Sequence, residues 1–236
     1  MPPQSPFRFK RFEVAQRGAA HPVGTDGVLL GAWADVCGVK RVLDIGTGTG
    51  VVALMLAQRI ENQKRAEIVG VEPHPPSAAL ARQNFSASPW AARMQVWEGR
   101  IQDYCLAEAM PLFDLIVSNP PFFTEATASP HAARQISRHA AHLPVHDMLL
   151  AVRGLLAPEG RCCVILPPRE AQALCEQAVL GGLYWTKITS VRPRAEKPVE
   201  RWLVELSRQP ARFERDEWLL AADCAPYRGS IAPFYL

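Results

Sequence analysis

The feature that most constrains this chain is a short apolar run that breaks into alternating glycines, Arg41-Val42-Leu43-Asp44-Ile45-Gly46-Thr47-Gly48-Thr49-Gly50. The run has the length and composition of a buried strand, and Val51 to Gln58 reads as the helix that follows it. Strand, glycine turn and helix in that order build a nucleotide-type site, because missing side chains let a ligand approach the backbone. The glycines alternate at 46, 48 and 50, so the spacing departs from the dinucleotide fingerprint, which needs Gly-x-Gly-x-x-Gly. Asp44 stands just before the turn. An acid there disfavours a phosphate and favours a cationic, phosphate-free ligand. S-adenosylmethionine, with an amino group, a sulfonium and no phosphate, fits that description; a glycine-rich turn without a ligand is the plainer alternative.

The rest of the chain supplies the strands and helices for such a unit. Glu67-Ile68-Val69-Gly70-Val71-Glu72 is a second strand, ending in an acid placed to accept from both ribose hydroxyls. Pro75 to Phe85 has a helical pattern, Met94 to Trp97 is a third strand, and Phe113 to Val117 a fourth. Asp147 to Leu156 reads as a helix, Arg161 to Leu166 as a strand, Arg169 to Val179 as a helix, and Tyr184 to Val191 with Trp202 to Leu206 as the last two strands. These alternations predict an α/β, Rossmann-like fold: a seven-stranded, mostly parallel sheet with helices on both faces and an N-terminal extension. The expected division is an extension over 1–36, the main domain over 37–208, and a tail over 209–236 packing on the same domain.

At 236 residues the chain has room for one such domain with additions, and 48% hydrophobic residues can fill its core. A net charge of +3 permits a nucleic-acid partner without arguing for one. No apolar run is long enough to span a bilayer and the N-terminus lacks a signal-peptide pattern, so a cytoplasmic protein is expected. The six cysteines are scattered without Cys-x-x-Cys spacing and read as reduced core thiols. His131, His139, His142 and His146 fall at spacings that could place imidazoles on one helix face, but Pro144 interrupts it and no acid or cysteine completes a ligand set; no metal is expected. Phe123 to His142, with Arg134 and Arg138, reads instead as a weakly basic lid over a substrate.

At the end of the fourth strand stands Asn119-Pro120-Pro121-Phe122. Paired prolines fix the backbone and remove two donors, which leaves the Asn119 and Pro120 carbonyls as outward acceptors. The Asn119 side chain adds another acceptor, and Phe122 adds a flat face for stacking. Together they make a cradle for an amino group on a planar system. In open α/β sheets ligands bind at the carboxyl edge, so Asp44, Glu72 and Asn119 should converge there.

Two N-terminal stretches bear on the partner. Phe7-Arg8-Phe9-Lys10-Arg11-Phe12 interleaves aromatic and basic residues, and Phe7 to Lys10 alternates with the period of a strand. It is either an edge strand with a solvated face or a surface where cations meet phosphates and aromatics meet bases. Val23-Gly24-Thr25-Asp26-Gly27 precedes an apolar run to Ala34; Thr25 or Asp26 could cap a helix there, whose N-terminal donors suit a carboxylate ligand. The connection Arg192 to Pro198 carries three cations and reads as a solvated hairpin tip in preference to a phosphate contact.

The glycine turn, Glu72 and the Asn-Pro-Pro-Phe motif resemble those of class I S-adenosylmethionine-dependent methyltransferases that modify exocyclic or amide nitrogens. More narrowly, Phe7 to Phe12, Val23 to Trp33, Ser88-Pro89-Trp90-Ala91 and the terminal Phe234-Tyr235-Leu236 resemble the bacterial tRNA1(Val) (adenine-37-N6)-methyltransferase family across nearly the whole chain. That resemblance implies S-adenosyl-L-methionine as cofactor, held by Thr25, Asp44, Gly46, Gly48, Gly50, Glu72, Ile101 and Asn119. It implies Asn119, Pro120 and Phe122 as the catalytic group, with Pro121, Phe122, Arg8, Lys10, Arg11 and Arg138 on the substrate, the anticodon stem-loop of a tRNA, and a monomer as the working unit. One departure stands out. Where the family usually places an acid for the cofactor adenine, this chain has Arg100-Ile101, so that the Ile101 amide and Asp103 would have to serve. An rRNA guanine-N2 methyltransferase and a protein glutamine-N5 methyltransferase would use similar Asn-Pro-Pro chemistry, and a non-catalytic binding protein on the same fold is a further alternative.

Overall fold

The structure, a computed structural model, describes residues 5–63, 65–107, 110–121, 144–221 and 225–234. Its centre is a sheet whose eight described strands are β3 (Arg41–Ile45), β4 (Glu67–Glu72), β5 (Met94–Glu98), β6 (Phe113–Ser118), β7 (Leu156–Leu166), β8 (Tyr184–Arg192), β9 (Arg201–Ser207) and β10 (Glu214–Leu219). A separate small hairpin, β1 (Phe7–Arg8) with β2 (Glu13–Val14), precedes them. The order across the large sheet is β10-β8-β9-β7-β6-β3-β4-β5. Strands β5, β4, β3, β6 and β7 run parallel, whereas β9 is antiparallel to both β7 and β8. The fold is thus the α/β class read from the sequence, with one strand more than the seven expected. The extra one, β10, comes from the C-terminal segment and adds in parallel to the edge of β8.

Successive residues of the central strands enter opposite layers. Val42, Leu115, Val117, Cys163 and Ile165 belong to the core on one face. Leu43, Ile116, Cys162 and Val164 belong to the core on the other. A sheet covered on both faces calls for continuous apolar strands, which is why these segments show no polar alternation. The first layer contains helices α1 (Thr25–Trp33) and α2 (Val51–Arg59). The second contains α4 (Ile101–Leu106), α5 (Val145–Leu155) and α6 (Pro168–Leu180). Helix α3 (Pro75–Ser86) follows β4, and α7 (Ala225–Ile231) lies near the C-terminus.

Helices α1 and α2 meet at Gly31, where an added Cβ would lie 2.9 Å from Met55 Cβ. The Arg59 guanidinium donates to the carbonyls of Gly31 and Ala34 at 2.9 and 2.6 Å, so α2 also closes the C-terminal end of α1. Trp33 Nε1 donates to Thr189 Oγ1 at 2.8 Å and ties α1 to β8. The expected cap of α1 is corrected: Gly24 holds the N-cap position without a side-chain bond, and Thr25 and Asp26 are the first helical residues.

The N-terminal alternation is corrected as well. Pairing covers Phe7–Arg8 alone, because the chain turns at once, with the Phe9 amide donating to the Phe12 carbonyl at 2.9 Å. Phe9 and Phe12 are buried, stacked at 4.5 Å between ring centroids, and Phe12 meets Trp90 edge-on at 5.7 Å. Those two rings are core residues, and they stack on each other instead of on a base. Buried Phe234 packs on Phe9, and the Lys10 amide donates to the Phe234 carbonyl at 2.9 Å, which brings the tail back to the start of the chain. No helix among the described residues is long and apolar enough to cross a membrane.

Candidate active site

The turn after β3 is built on left-handed backbone: Gly46, Gly48 and Gly50 have φ of 73°, 57° and 83°. Side chains other than glycine rarely take that conformation, so the sequence of alternating glycines and the shape of the turn are one fact. Its amides are largely engaged inside the protein. Gly46 and Thr47 donate to the Val71 carbonyl at 2.9 and 3.1 Å, Gly48 donates to Glu72 Oε2 at 2.9 Å, and Gly50 donates to the Thr47 carbonyl at 2.8 Å. A phosphate cradle needs such donors free. This loop instead presents carboxylates, in keeping with a phosphate-free ligand.

Asp44 is 1% exposed and accepts the Thr47 hydroxyl at 2.7 Å. Burial pushes its carboxyl up to about 7, against the pull of the Thr47 and Ala53 hydrogen bonds, and nearby Glu72 adds to the rise. Glu72, also buried, accepts the His74 amide at 3.0 Å through Oε1 besides the Gly48 amide. Burial raises its pKa too, opposed by those two amides. Each carboxylate oxygen has capacity for a second donor. Two buried acids whose pKa values burial raises suit a cation and hydroxyl donors.

Both line a cleft of about 760 Å³ at the carboxyl edge of the sheet, together with Thr25, Gly46, Gly48, Ile101, Asn119, Pro120 and Pro121. The residues expected to converge therefore do so. Ser118, at the end of β6, donates its hydroxyl to the Ile45 carbonyl at 2.9 Å and so fixes the strand that presents Asn119 beside the strand that presents the glycine turn. Gly50 is not among the lining residues. A Cβ there would lie 2.5 Å from Phe85 Cε1, so its place is beneath the turn, letting α2 start against that ring. Asp103 is exposed and outside the lining. Phe122, Arg134, Arg138, His131, His139 and His142 lie outside the described residues.

The three N-terminal cations stand apart from the cleft lining and have partners of their own. Arg8 pairs with Glu13 at 3.0 Å, and Lys10 Nζ donates to the Ala232 carbonyl at 2.9 Å. Arg11 pairs with Glu61 at 2.6 Å and lies 5.8 Å from the centre of the Trp90 ring. Several lining residues carried no local signal in the sequence. Arg201 at the start of β9 donates to Asp26 at 2.9 Å, a contact across 175 positions that joins the last hairpin to the N-terminus of α1. Pro193 and Glu200 bring that hairpin's tip to the cleft, although its middle, 194–198, is exposed as expected. His74, whose Nδ1 lies 2.9 Å from Ser77 Oγ, and Gln102 complete the lining near Glu72 and Ile101.

Comparison with known proteins decides the family. The family profile described as "Methyltransferase small domain" matches residues 28–153. A tRNA1(Val) (adenine(37)-N6)-methyltransferase of Aeromonas salmonicida is 42% identical over 98% of this chain and 98% of its own length. The chain belongs to the tRNA1(Val) (adenine(37)-N6)-methyltransferase family. The member from Trichodesmium erythraeum is likewise 42% identical, over 89% of this chain and 87% of its own. Among solved structures, one described as a predicted O-methyltransferase from Agrobacterium tumefaciens superposes with a TM-score of 0.63 at 19% identity, covering 90% of this chain and 98% of that one; it shares the fold. Family and fold make this an S-adenosylmethionine-dependent methyltransferase. The cleft fits that cofactor: two buried acids suit an ammonium and ribose hydroxyls, and the amides of Gly46, Thr47, Gly48 and Gly50 already have partners within the protein.

Proposed function

We propose that this protein methylates N6 of adenosine 37, beside the anticodon of tRNA1(Val), and that it does so in the cytoplasm as a monomer. The observation that carries the reading is the match to relatives of that activity over essentially the full length of both chains. When bound, the cofactor supplies an electrophilic methyl group. The protein's part follows from the amine, a poor nucleophile whose lone pair is delocalised into the ring. Asn119 and the Pro120 carbonyl, both on the cleft, would accept the two amine protons, turn the lone pair out of conjugation, and stabilise positive charge as it develops. An asparagine is no strong base, so the surplus proton leaves to water after transfer. Phe122 is assigned to stacking on the base, which has to be swung out of its loop to reach the cleft.

The test is transfer of labelled methyl from S-adenosylmethionine to purified total tRNA, rRNA and protein, followed by nucleoside and amino-acid analysis. N6-methyladenosine in tRNA is the expected product. N2-methylguanosine in rRNA or N5-methylglutamine in protein would replace this reading, and incorporation nowhere would leave a binding protein.

A further inference from the structure

We infer that Asn84 is a positioning residue for cofactor binding, its carboxamide holding the segment between β2 and α1 as a wall of the cleft set against the glycine turn. The inference rests on reading the cleft as the S-adenosylmethionine site. Ala20, His21, Pro22 and Gly24 of that segment are among the lining residues. Residues 15–24 contain neither helix nor strand, so no backbone ladder holds them there. Two side-chain amides do. Gln16 closes the segment on itself: its Oε1 accepts the Val23 amide at 3.1 Å, and the Ala19 amide donates to the Gln16 carbonyl at 3.1 Å. Asn84, near the end of α3 and 3% exposed, anchors the start of the segment.

Its three bonds reach two separate stretches of chain. Asn84 Oδ1 accepts the Ala15 amide at 2.9 Å, and Nδ2 donates to the Ala15 carbonyl at 3.0 Å. Bonding both backbone groups of one residue replaces the partner that a strand would supply. Nδ2 also donates to the Thr49 carbonyl at 2.8 Å, and buried Thr49 lines the cleft from within the glycine turn. One N–H and two carbonyls call for one acceptor and two donors, a set that a carboxamide has and a carboxylate or hydroxyl lacks. The geometry thus fixes both the residue type and the way its amide faces. Next to it Phe85 sits beneath Gly50, so the end of α3 is the seat on which the turn and the segment both rest. In the low-dielectric interior such bonds hold their geometry firmly. A cofactor bound between the turn and residues 20–22 meets walls whose separation Asn84 sets.

The experiment measures S-adenosylhomocysteine binding by calorimetry and amide hydrogen exchange by NMR, under conditions in which urea curves show each variant folded. Asn84→Ala should bind about 10-fold more weakly, the worth of one hydrogen bond. Exchange at the Val23 amide, on the far side of the segment, should quicken in the same variant. Gln16→Ala, at a half-buried position, should also weaken binding. The double variant should lose less than the product of the two separate losses, because both loosen one segment. An Asn84→Ala protein with a lowered urea midpoint but unchanged affinity would make Asn84 a residue of the fold alone and overturn the inference. Two losses that multiply in full, or Val23 exchange that stays at the wild-type rate, would overturn it as well. Should Asn84→Ala fail to fold, Gln16→Ala decides: weaker binding with quickened exchange at Ala15 supports the inference, and unchanged affinity overturns it. Failure of wild type to bind S-adenosylhomocysteine at all would overturn the cofactor reading along with it.

Discussion

Asp44 joins the two properties of the site, because the burial that raises its carboxyl to about 7 also makes it sensitive to a bound cation. An acid whose folded pKa lies above its unfolded 3.8 makes the folded protein hold the extra proton. Its contribution to stability is fully present below the unfolded value and is lost as pH rises through about 7. The free protein should therefore lose stability to urea between about pH 4 and pH 7, and Asp44→Asn should flatten that dependence and be the more stable protein at pH 8. The same variant should bind S-adenosylmethionine at least ~10-fold more weakly, through the loss of a charge-assisted hydrogen bond. Calorimetry at pH 6 in buffers of different ionisation enthalpy should show proton release when wild type binds the cofactor. Because Asp44 and Glu72 interact, the apparent titration steps belong to the pair.

At the scale of elements, the contact of α1 with α2 depends on the missing side chain at Gly31. Gly31→Ala drives a methyl into Met55 and should cost ~1–2 kcal/mol net, since the clash outweighs the gain in helix propensity. Gly154→Ala in α5 meets nothing within 4 Å and should be neutral or stabilise by up to ~1 kcal/mol. Paired urea denaturation curves distinguish the two. The elements with strong internal signals were legible: β3, β4 and β6 are short segments dominated by Val, Ile and Leu, and the glycines after β3 predict its turn. Two others were not. Phe7 to Lys10 alternates like a strand, but a tight turn sends both Phe9 and Phe12 inward, and only packing against Trp90 and Phe234 reveals it. Strand β10 is Glu-Arg-Asp-Glu before its tryptophan, a charged edge whose composition discourages pairing with other chains and equally hides it as a strand.

For the whole molecule, sheet order gathers Asp44, Glu72 and Asn119 at one edge, and that much followed from the sequence once the strands were assigned. The rest of the cleft comes from residues far apart in the chain, such as Arg201 on Asp26, which no local pattern announces. The N-terminal cations face the same limitation. Their composition suggests an RNA surface, yet Arg8, Lys10 and Arg11 each have an intramolecular partner. Neutralising all three should lower the salt slope of tRNA binding by less than the ~2 expected of three free phosphate contacts. A drop of the full ~2 would mean that these pairs open to meet RNA.

Whether Asn119 presents the exocyclic amine of adenosine 37 to the methyl donor is decided on a tRNA1(Val) transcript. Wild type and Asn119→Ala are compared by mapping methyl position with fragment mass spectrometry, and their cofactor affinity is measured alongside. Wild type should place one methyl on N6 of adenosine 37, and Asn119→Ala should be at least ~100-fold slower while its cofactor affinity stays close to wild type. A methyl at another position, or an Asn119→Ala variant as fast as wild type, would contradict that role.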